Sequence, residues 1–172
     1  EGVIMLNLPE LVKIPDDAIS QVPELFKIFK RDFIDNVTYF MAYPVIIPRP
    51  REGEIYPEIF WHIISRQEQK GSKSNDTRGI DYERAKRLCW IKPIIQNFRD
   101  EEITCWKTKE FDKKAGKELD RYYLWYKNGK FLVILKCVET KTKKFFIATS
   151  FYVFDRNIEH YEELCKKGEK IC

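Results

Sequence analysis

A histidine and an arginine stand four residues apart in the segment EIFWHIISR, at His62 and Arg66. Residues at this spacing share one face of a helix. Imidazole exchanges protons near neutral pH, and a guanidinium group binds phosphate oxygens through several N–H donors. The pair is therefore suited to phosphodiester chemistry; the alternative is that His62 is a hydrogen-bonded core histidine. The other histidine, His160, lies in the acidic segment EHYEE and is interpreted as an ordinary exposed side chain.

Two further arginines, Arg84 and Arg87, lie three residues apart in the segment DYERAKRLCW. On a helix they share a face, where two guanidinium groups repel each other unless an anion or carboxylates lie between them. One interpretation is that they clamp a phosphate. The other is that they form solvated pairs with Asp81 or Glu83.

Polar and aromatic residues interrupt the apolar runs that predict strands. Lys136 falls within VILKCV, and Thr149 falls within FIATSF. Lys136 is a candidate phosphate ligand, whereas threonine is also common in strands on propensity grounds. Tyr123, with Trp125 and Tyr126 nearby, is able to stack a nucleic-acid base or simply to pack in a sheet.

The sequence lacks the motifs of several enzyme classes. It has no Gly-rich phosphate loop, no HExxH or CxxC ligand pair, and no Gly-x-Ser-x-Gly elbow. Its five cysteines form an odd, scattered set, which argues for reduced thiols in a cytoplasm. We therefore expect no metal and no cofactor, so metal-free chemistry by histidine, arginine, lysine and a hydroxyl group, or binding alone, remains.

Positive charge is concentrated in the later part of the chain. The 172 residues have a net charge of +4, and residues 107–145 carry twelve basic and five acidic side chains. Such a distribution fits a polyanionic partner or a lysine-rich solvated face. No apolar run approaches the roughly 18 residues of a membrane helix, and the first residues do not resemble a secretory signal. We expect a cytoplasmic protein without a membrane partner.

Helical spacing in the first hundred residues gives way to strand alternation. Four helices are predicted. The first contains Pro23 to Val37, the second starts at Pro57, the third starts at Asp81, and the last covers Ile158 to Cys165. The predicted strands are Ile103–Trp106, Tyr122–Tyr126, Phe131–Val138 and Phe145–Phe154, with an extended segment at Tyr43–Arg51 and loops at Gln67–Gly79 and 107–120. The predicted fold is a single α+β domain, residues 1–172: N-terminal helices packed on a four-stranded antiparallel meander, with a short C-terminal helix.

The dipeptide Asn128-Gly129 predicts a hairpin with a type I′ turn, because both residues tolerate positive φ. Such a turn pairs Tyr126 with Phe131 and Arg121 with Lys136. If the next turn has an even number of residues, Phe145, Ile147 and Thr149 share the face of Lys136. The opposite face, with Leu124, Val133, Leu135, Phe146 and Ala148, then packs against the helices.

This element order, with IFWHIISR, YERAKRLCWI and a last strand FFIATSFYVF, resembles the barnase/EndoU/colicin/RelE-like ribonuclease superfamily. The likeness is to its phage- and toxin-associated branches, which carry a hydroxyl residue in the last strand, and Thr149 matches that position. It covers residues 54–154 as a candidate nuclease core. Residues 1–53 form a helical and extended N-terminal extension, and residues 155–172 form the C-terminal helix.

The resemblance implies a metal-independent endoribonuclease in which the ribose 2′-hydroxyl attacks the adjacent phosphate and leaves a 2′,3′-cyclic phosphate. The implied catalytic residues are His62, Arg66 and Thr149, and the implied substrate-binding residues are Arg84, Arg87, Lys136 and Tyr123. The implied partners are RNA, with tRNA as a candidate, and a cognate inhibitor or immunity protein. The alternative is a non-catalytic RNA-binding or protein-interaction module that uses the basic, aromatic sheet, and the lack of a second catalytic histidine favours it.

Overall fold

Helices precede the main sheet along the chain, in the order that the periodicity predicted. The computed structural model describes residues 6–66 and 79–171, so the predicted loop 67–79 lies, except for Gly79, outside the described residues. The helices are α1 (Ala18–Phe33), α2 (Glu58–Ile64), α3 (Tyr82–Ala85), α4 (Ile91–Gln96) and α5 (Asp155–Lys167), with a 3₁₀ turn at Leu88–Trp90. The strands are β1 (Tyr39–Phe40), β2 (Tyr43–Pro44), β3 (Ile103–Asp112), β4 (Lys117–Tyr126), β5 (Phe131–Glu139), β6 (Lys143–Tyr152) and β7 (Glu169–Lys170).

Two predicted helix starts are confirmed, and a third lies elsewhere. Pro57 immediately precedes α2, and the Asp81 carboxylate accepts hydrogen bonds from two backbone N–H groups at the start of α3. Helix α1 begins before Pro23, because the Asp17 side chain caps it one turn earlier. None of the described helices is long and apolar enough to cross a membrane.

The main sheet has five strands, so the predicted four-stranded sheet was wrong. Its order is β6-β5-β4-β3-β7, and all neighbouring strands are antiparallel. The fifth strand, β7, has two residues and pairs with β3 through Trp106 and Lys170. A strand this short has no alternating pattern, so periodicity could not predict it.

The charged segment 107–120 was predicted as a loop, but most of it extends β3 and β4. Lys109 pairs with Asp120 across the two strands, and Asp112 pairs with Lys117. Opposite charges on directly paired residues stabilise a sheet. Charge alone therefore did not mark the end of the strand.

The predicted register of the β4–β5 hairpin is confirmed, but its predicted turn type was wrong. Tyr126 pairs with Phe131, and Arg121 pairs with Lys136. The left-handed residue of the loop is Lys130, with φ 53°, and its N–H donates to the carbonyl of Lys127 at 3.0 Å. This geometry is a type I turn followed by one left-handed residue.

The two-residue turn with positive φ occurs in the small β1–β2 hairpin instead. Met41 and Ala42 have φ of 51° and 68°, and they join strands that pair Phe40 with Tyr43. This is the backbone of a type I′ turn, which glycine and asparagine adopt most easily. A side chain at each of these positions therefore places strain in the turn.

A β-bulge in β6 divides that strand between the two faces of the sheet. Ile134 pairs with Thr149, whereas the next residue of β5, Leu135, pairs with Ile147, so that Ala148 is the extra residue. On the Lys143 side of the bulge, each residue of β6 therefore points to the face opposite to the one that strict alternation from Thr149 predicts. The prediction that Phe146 faces the helices, and that Phe145 and Ile147 share the face of Lys136, was therefore wrong: Phe145 and Ile147 are buried in the helix-side core.

Both faces of the sheet are covered, one fully and one in part. Helices α1 to α4 pack on one face around a continuous core, to which α1 contributes Leu25 and Phe29. On the other face, α5 covers a smaller cluster that includes Trp106 and Trp125. The uncovered part of this second face lies toward the closed end of the β3–β4 hairpin.

Candidate active site

A groove of about 1690 Å³ runs along the uncovered part of the second face. Its walls come from α2 and α3, from the end of the β3–β4 hairpin, and from the first turns of α5. The groove brings together five of the seven predicted site residues, which are His62, Arg66, Arg84, Lys136 and Thr149.

The lining of the groove is strongly basic. Among the described residues that line it, nine are Lys or Arg and three are Asp or Glu. Cations crowded into one concave surface raise the local concentration of anionic ligands. The groove is therefore complementary to a polyanion.

His62 lies at the end of α2, and its side chain is 24% exposed. Its Nε2 atom is 3.6 Å from Oε1 of Glu58, one helical turn earlier. The other carboxylate oxygen of Glu58 is 2.5 Å from Nη2 of Arg51. Arg51 thus pairs with the carboxylate that lies beside the imidazole of His62. The sequence analysis missed Glu58, although its i, i+4 spacing to His62 was a usable signal.

Asp81 binds the two arginines on this side of the groove. Its Oδ2 atom is 3.4 Å from Nε of both Arg66 and Arg84. Arg84 also donates from Nη1 to the carbonyl oxygens of His62, at 3.1 Å, and Ser65, at 3.3 Å. Burial lowers the pKa of Arg84, and the charge of Asp81 opposes that shift. Arg84 therefore caps carbonyl groups at the C-terminal end of α2 and also lines the groove.

Lys136 and Thr149 form part of the groove floor. The Lys136 ammonium group is 3.4 Å from Oδ2 of Asp112, near the end of the β3–β4 hairpin. A hydrogen bond from the backbone N–H of Ala115, together with the charge of Lys136, lowers the pKa of Asp112, which stays ionised. Within the described part of the chain, the Thr149 hydroxyl makes no side-chain hydrogen bond, so it is available to a ligand.

Two predicted site residues, Arg87 and Tyr123, do not line the groove. Arg87 pairs with Glu83 at 2.8 Å, which is the second interpretation given for it, and its guanidinium lies over the ring of Tyr152. Tyr123 is 4% exposed, stacks on Trp106, and donates its hydroxyl proton to Glu110 at 2.6 Å. Burial raises the pKa of Tyr123 well above its usual range. Its position makes it a packing residue.

The groove also contains Tyr161, which the sequence analysis missed. Tyr161 lies on α5 and packs against Phe151 of β6. Burial raises the pKa of its phenol, opposed by the charge of Arg84, so the group is neutral at physiological pH. Its spacing from Ile158 and Leu164 would have placed it on the inner face of α5. His160, the next residue back, is exposed and does not line the groove.

The sequence matches no family model, and neither the curated proteins nor the solved structures give a match. Over residues 6–66 and 79–171, no group of three or more His, Cys, Asp or Glu side chains is placed to hold a metal ion. The function is therefore inferred from the groove itself.

Proposed function

We propose that this protein is an endoribonuclease that cleaves RNA by attack of a ribose 2′-hydroxyl and needs no metal ion. One observation carries the proposal: the imidazole of His62, the guanidinium groups of Arg66 and Arg84, the ammonium group of Lys136 and the hydroxyl of Thr149 line a single groove. Chemistry at a phosphodiester needs a proton acceptor, cations for the phosphoryl oxygens and hydrogen-bond donors. The groove contains all three.

In this proposal His62 removes the proton of the 2′-hydroxyl, whose oxygen attacks phosphorus. The new P–O2′ bond forms as the P–O5′ bond breaks, which leaves a 2′,3′-cyclic phosphate and a free 5′-hydroxyl. The groove is open to solvent, water supplies the proton of that hydroxyl, and the imidazolium of His62 then returns its proton to water. Arg66 stabilises the negative charge on the phosphoryl oxygens, Lys136 binds a neighbouring phosphate, Thr149 donates a hydrogen bond, and Glu58 stabilises the imidazolium that forms.

The resemblance to the barnase/EndoU/colicin/RelE-like superfamily supports a toxin-like role in this proposal. Cellular RNA, such as tRNA, is then the target. A chain that cleaves the RNA of its own cell needs an inhibitor, and a cognate immunity protein is the partner that we propose.

A second candidate function is RNA binding without cleavage. The observation in its favour is that His62 is the one imidazole that lines the groove among the described residues, since His160 lies outside it. Ribonucleases that use an acid and a base need two proton carriers. A binding protein needs only the cations and rings of the groove.

Incubation of the pure protein with bulk tRNA in EDTA distinguishes these functions. We expect cleavage that survives the chelator, yields cyclic phosphate ends by mass spectrometry, and is lost in His62→Ala. The matched control is His160→Ala, which removes the exposed histidine and is expected to cleave like the wild type. Equal cleavage by His62→Ala would overturn the proposed mechanism, and salt-sensitive RNA binding without product would establish the second function.

A further inference from the structure

Two cations lie side by side on the groove floor. Arg121 of β4 and Lys136 of β5 are direct cross-strand partners. Like charges in such a pair destabilise a sheet. Asp112 compensates Lys136 at 3.4 Å, but in the described part of the chain no carboxylate forms a salt bridge with Arg121. The fold thus keeps one uncompensated cation at this point, as an anion site requires.

An aromatic ring lies beside this pair of cations. Phe146 is the cross-strand partner of Lys136 and lines the groove, because the bulge at Ala148 turns it away from the core. Lys113 and Lys114, in the exposed turn of the β3–β4 hairpin, line the same groove. Cations beside aromatic rings are the usual composition of a surface for single-stranded nucleic acid.

We propose that Arg121, Lys136 and Phe146 form a second subsite, which binds a phosphate and stacks a base of single-stranded RNA. This inference rests on the proposed function, because it takes RNA as the ligand. Lys136 lies two residues along β5 from the partner of Thr149, a displacement of about 7 Å along the strand. The two subsites therefore address different phosphates of one strand. A base reaches the Phe146 ring only when it is unpaired, which excludes a continuous duplex.

Equilibrium binding of a 2′-O-methyl oligoribonucleotide tests this subsite without turnover, because the blocked hydroxyl cannot attack. The probe is a fluorescently labelled single strand of about twelve nucleotides, compared with a hairpin duplex of the same composition. The variants are Arg121→Gln, Phe146→Ala and the double turn variant Lys113→Gln/Lys114→Gln; both turn lysines are exposed. Matched controls outside the groove are Arg99→Gln and Tyr39→Ala, and circular dichroism checks that every variant folds.

We expect Phe146→Ala to weaken single-strand binding by about 5- to 10-fold, as loss of one stacked base does. Arg121→Gln should weaken it by a similar factor and reduce the slope of log affinity against log salt by about 0.7. The controls should remain within about twofold of the wild type. Folded variants that bind like the wild type, or equal binding of the duplex, would overturn the second subsite. Neither result touches the cleavage assay, so a protein that still cuts tRNA would keep its proposed function.

Discussion

Replacement of Asp81 by asparagine is expected to weaken the fold and to strengthen RNA binding at the same time. The carboxylate is 9% exposed, caps α3, and lies 3.4 Å from both Arg66 and Arg84. Asparagine caps a helix as well as aspartate does. The substitution therefore keeps the cap and removes one negative charge from the side of the groove that contains His62.

The cost in stability comes mainly from Arg84, which is 22% exposed. A hydrogen bond involving charged groups contributes about 1.5–3 kcal/mol, against about 0.5–1.5 kcal/mol for a neutral one. Arg66 is 72% exposed, so its pairing contributes at most about 1 kcal/mol. We expect the free energy of unfolding to fall by about 1–2 kcal/mol. For a chain of this size, the corresponding decrease in Tm is roughly 2–8 °C.

The two effects are measured separately. Urea titration followed by tryptophan fluorescence gives the free energy of unfolding, and anisotropy of the 2′-O-methyl strand gives affinity over a range of salt. Asp81→Asn should bind more tightly at low salt, because Arg66 and Arg84 no longer share their charge with a carboxylate. Asp81→Ala is the comparison variant, and loss of the cap should cost it about 1 kcal/mol more.

The reasoning is refuted if Asp81→Asn is as stable as the wild type, which would mean that Arg84 does not depend on this carboxylate. It is also refuted if a folded Asp81→Asn binds RNA less tightly. In that case the carboxylate positions the guanidinium groups for the phosphate rather than competing with it.

Three further outcomes follow from the same structure. Glu58→Gln should lower kcat for RNA cleavage by about 10-fold or more and leave KM unchanged or lower, because the imidazolium of His62 loses its charged neighbour; an unchanged kcat in steady-state kinetics would contradict this role. Ala42→Gly should raise the free energy of unfolding by about 1 kcal/mol, since its φ of 68° costs a side chain energy that glycine avoids; no gain in urea titration would show an unstrained turn. Burial raises the pKa of Tyr122 to about 12, against about 10 when unfolded. The unfolded chain therefore loses this proton first, and stability should fall between about pH 10 and pH 12, with Tyr122 alone contributing up to about 1.4 kcal/mol per pH unit in urea titrations. Burial also raises the pKa of Tyr123 and of Tyr161, which adds to this fall; constant stability over this range would argue against the burial effect.

Local signals were sufficient for the pairing of β4 with β5. The dipeptide Asn128-Gly129 sits between two apolar runs, and this fixes which residues face each other whichever turn type forms. The turn type depends on tertiary contact. A Cβ atom on Gly129 would lie 2.3 Å from the ring of Tyr126, so this glycine is needed for space rather than for positive φ.

The composition of the groove was accessible from sequence only in part. His62, Arg66 and Arg84 were named from their sequence spacing, but the predicted helical face shared by His62 and Arg66 was wrong, because α2 ends at Ile64 and Ser65 is extended. Asp81, which contacts both Arg66 and Arg84, places Arg66 beside α3 instead. Arg121 was paired correctly with Lys136 but was not assigned to the site, because its lack of a carboxylate partner appears only in three dimensions. Tyr123 was named as a candidate ligand because its burial also appears only in three dimensions. It lies in the cluster that α5 covers, and local sequence does not show how far α5 covers the sheet.

The extra residue at Ala148 also shapes how the chain can change over evolutionary time. An insertion or deletion in the turn before β6 ordinarily shifts a strand by one position and exchanges its two sides. The bulge lies between that turn and Thr149, so a change in length can be compensated there without shifting Thr149. The turn that carries Lys141 can therefore change in length while the end of β6 that carries Thr149 keeps its orientation.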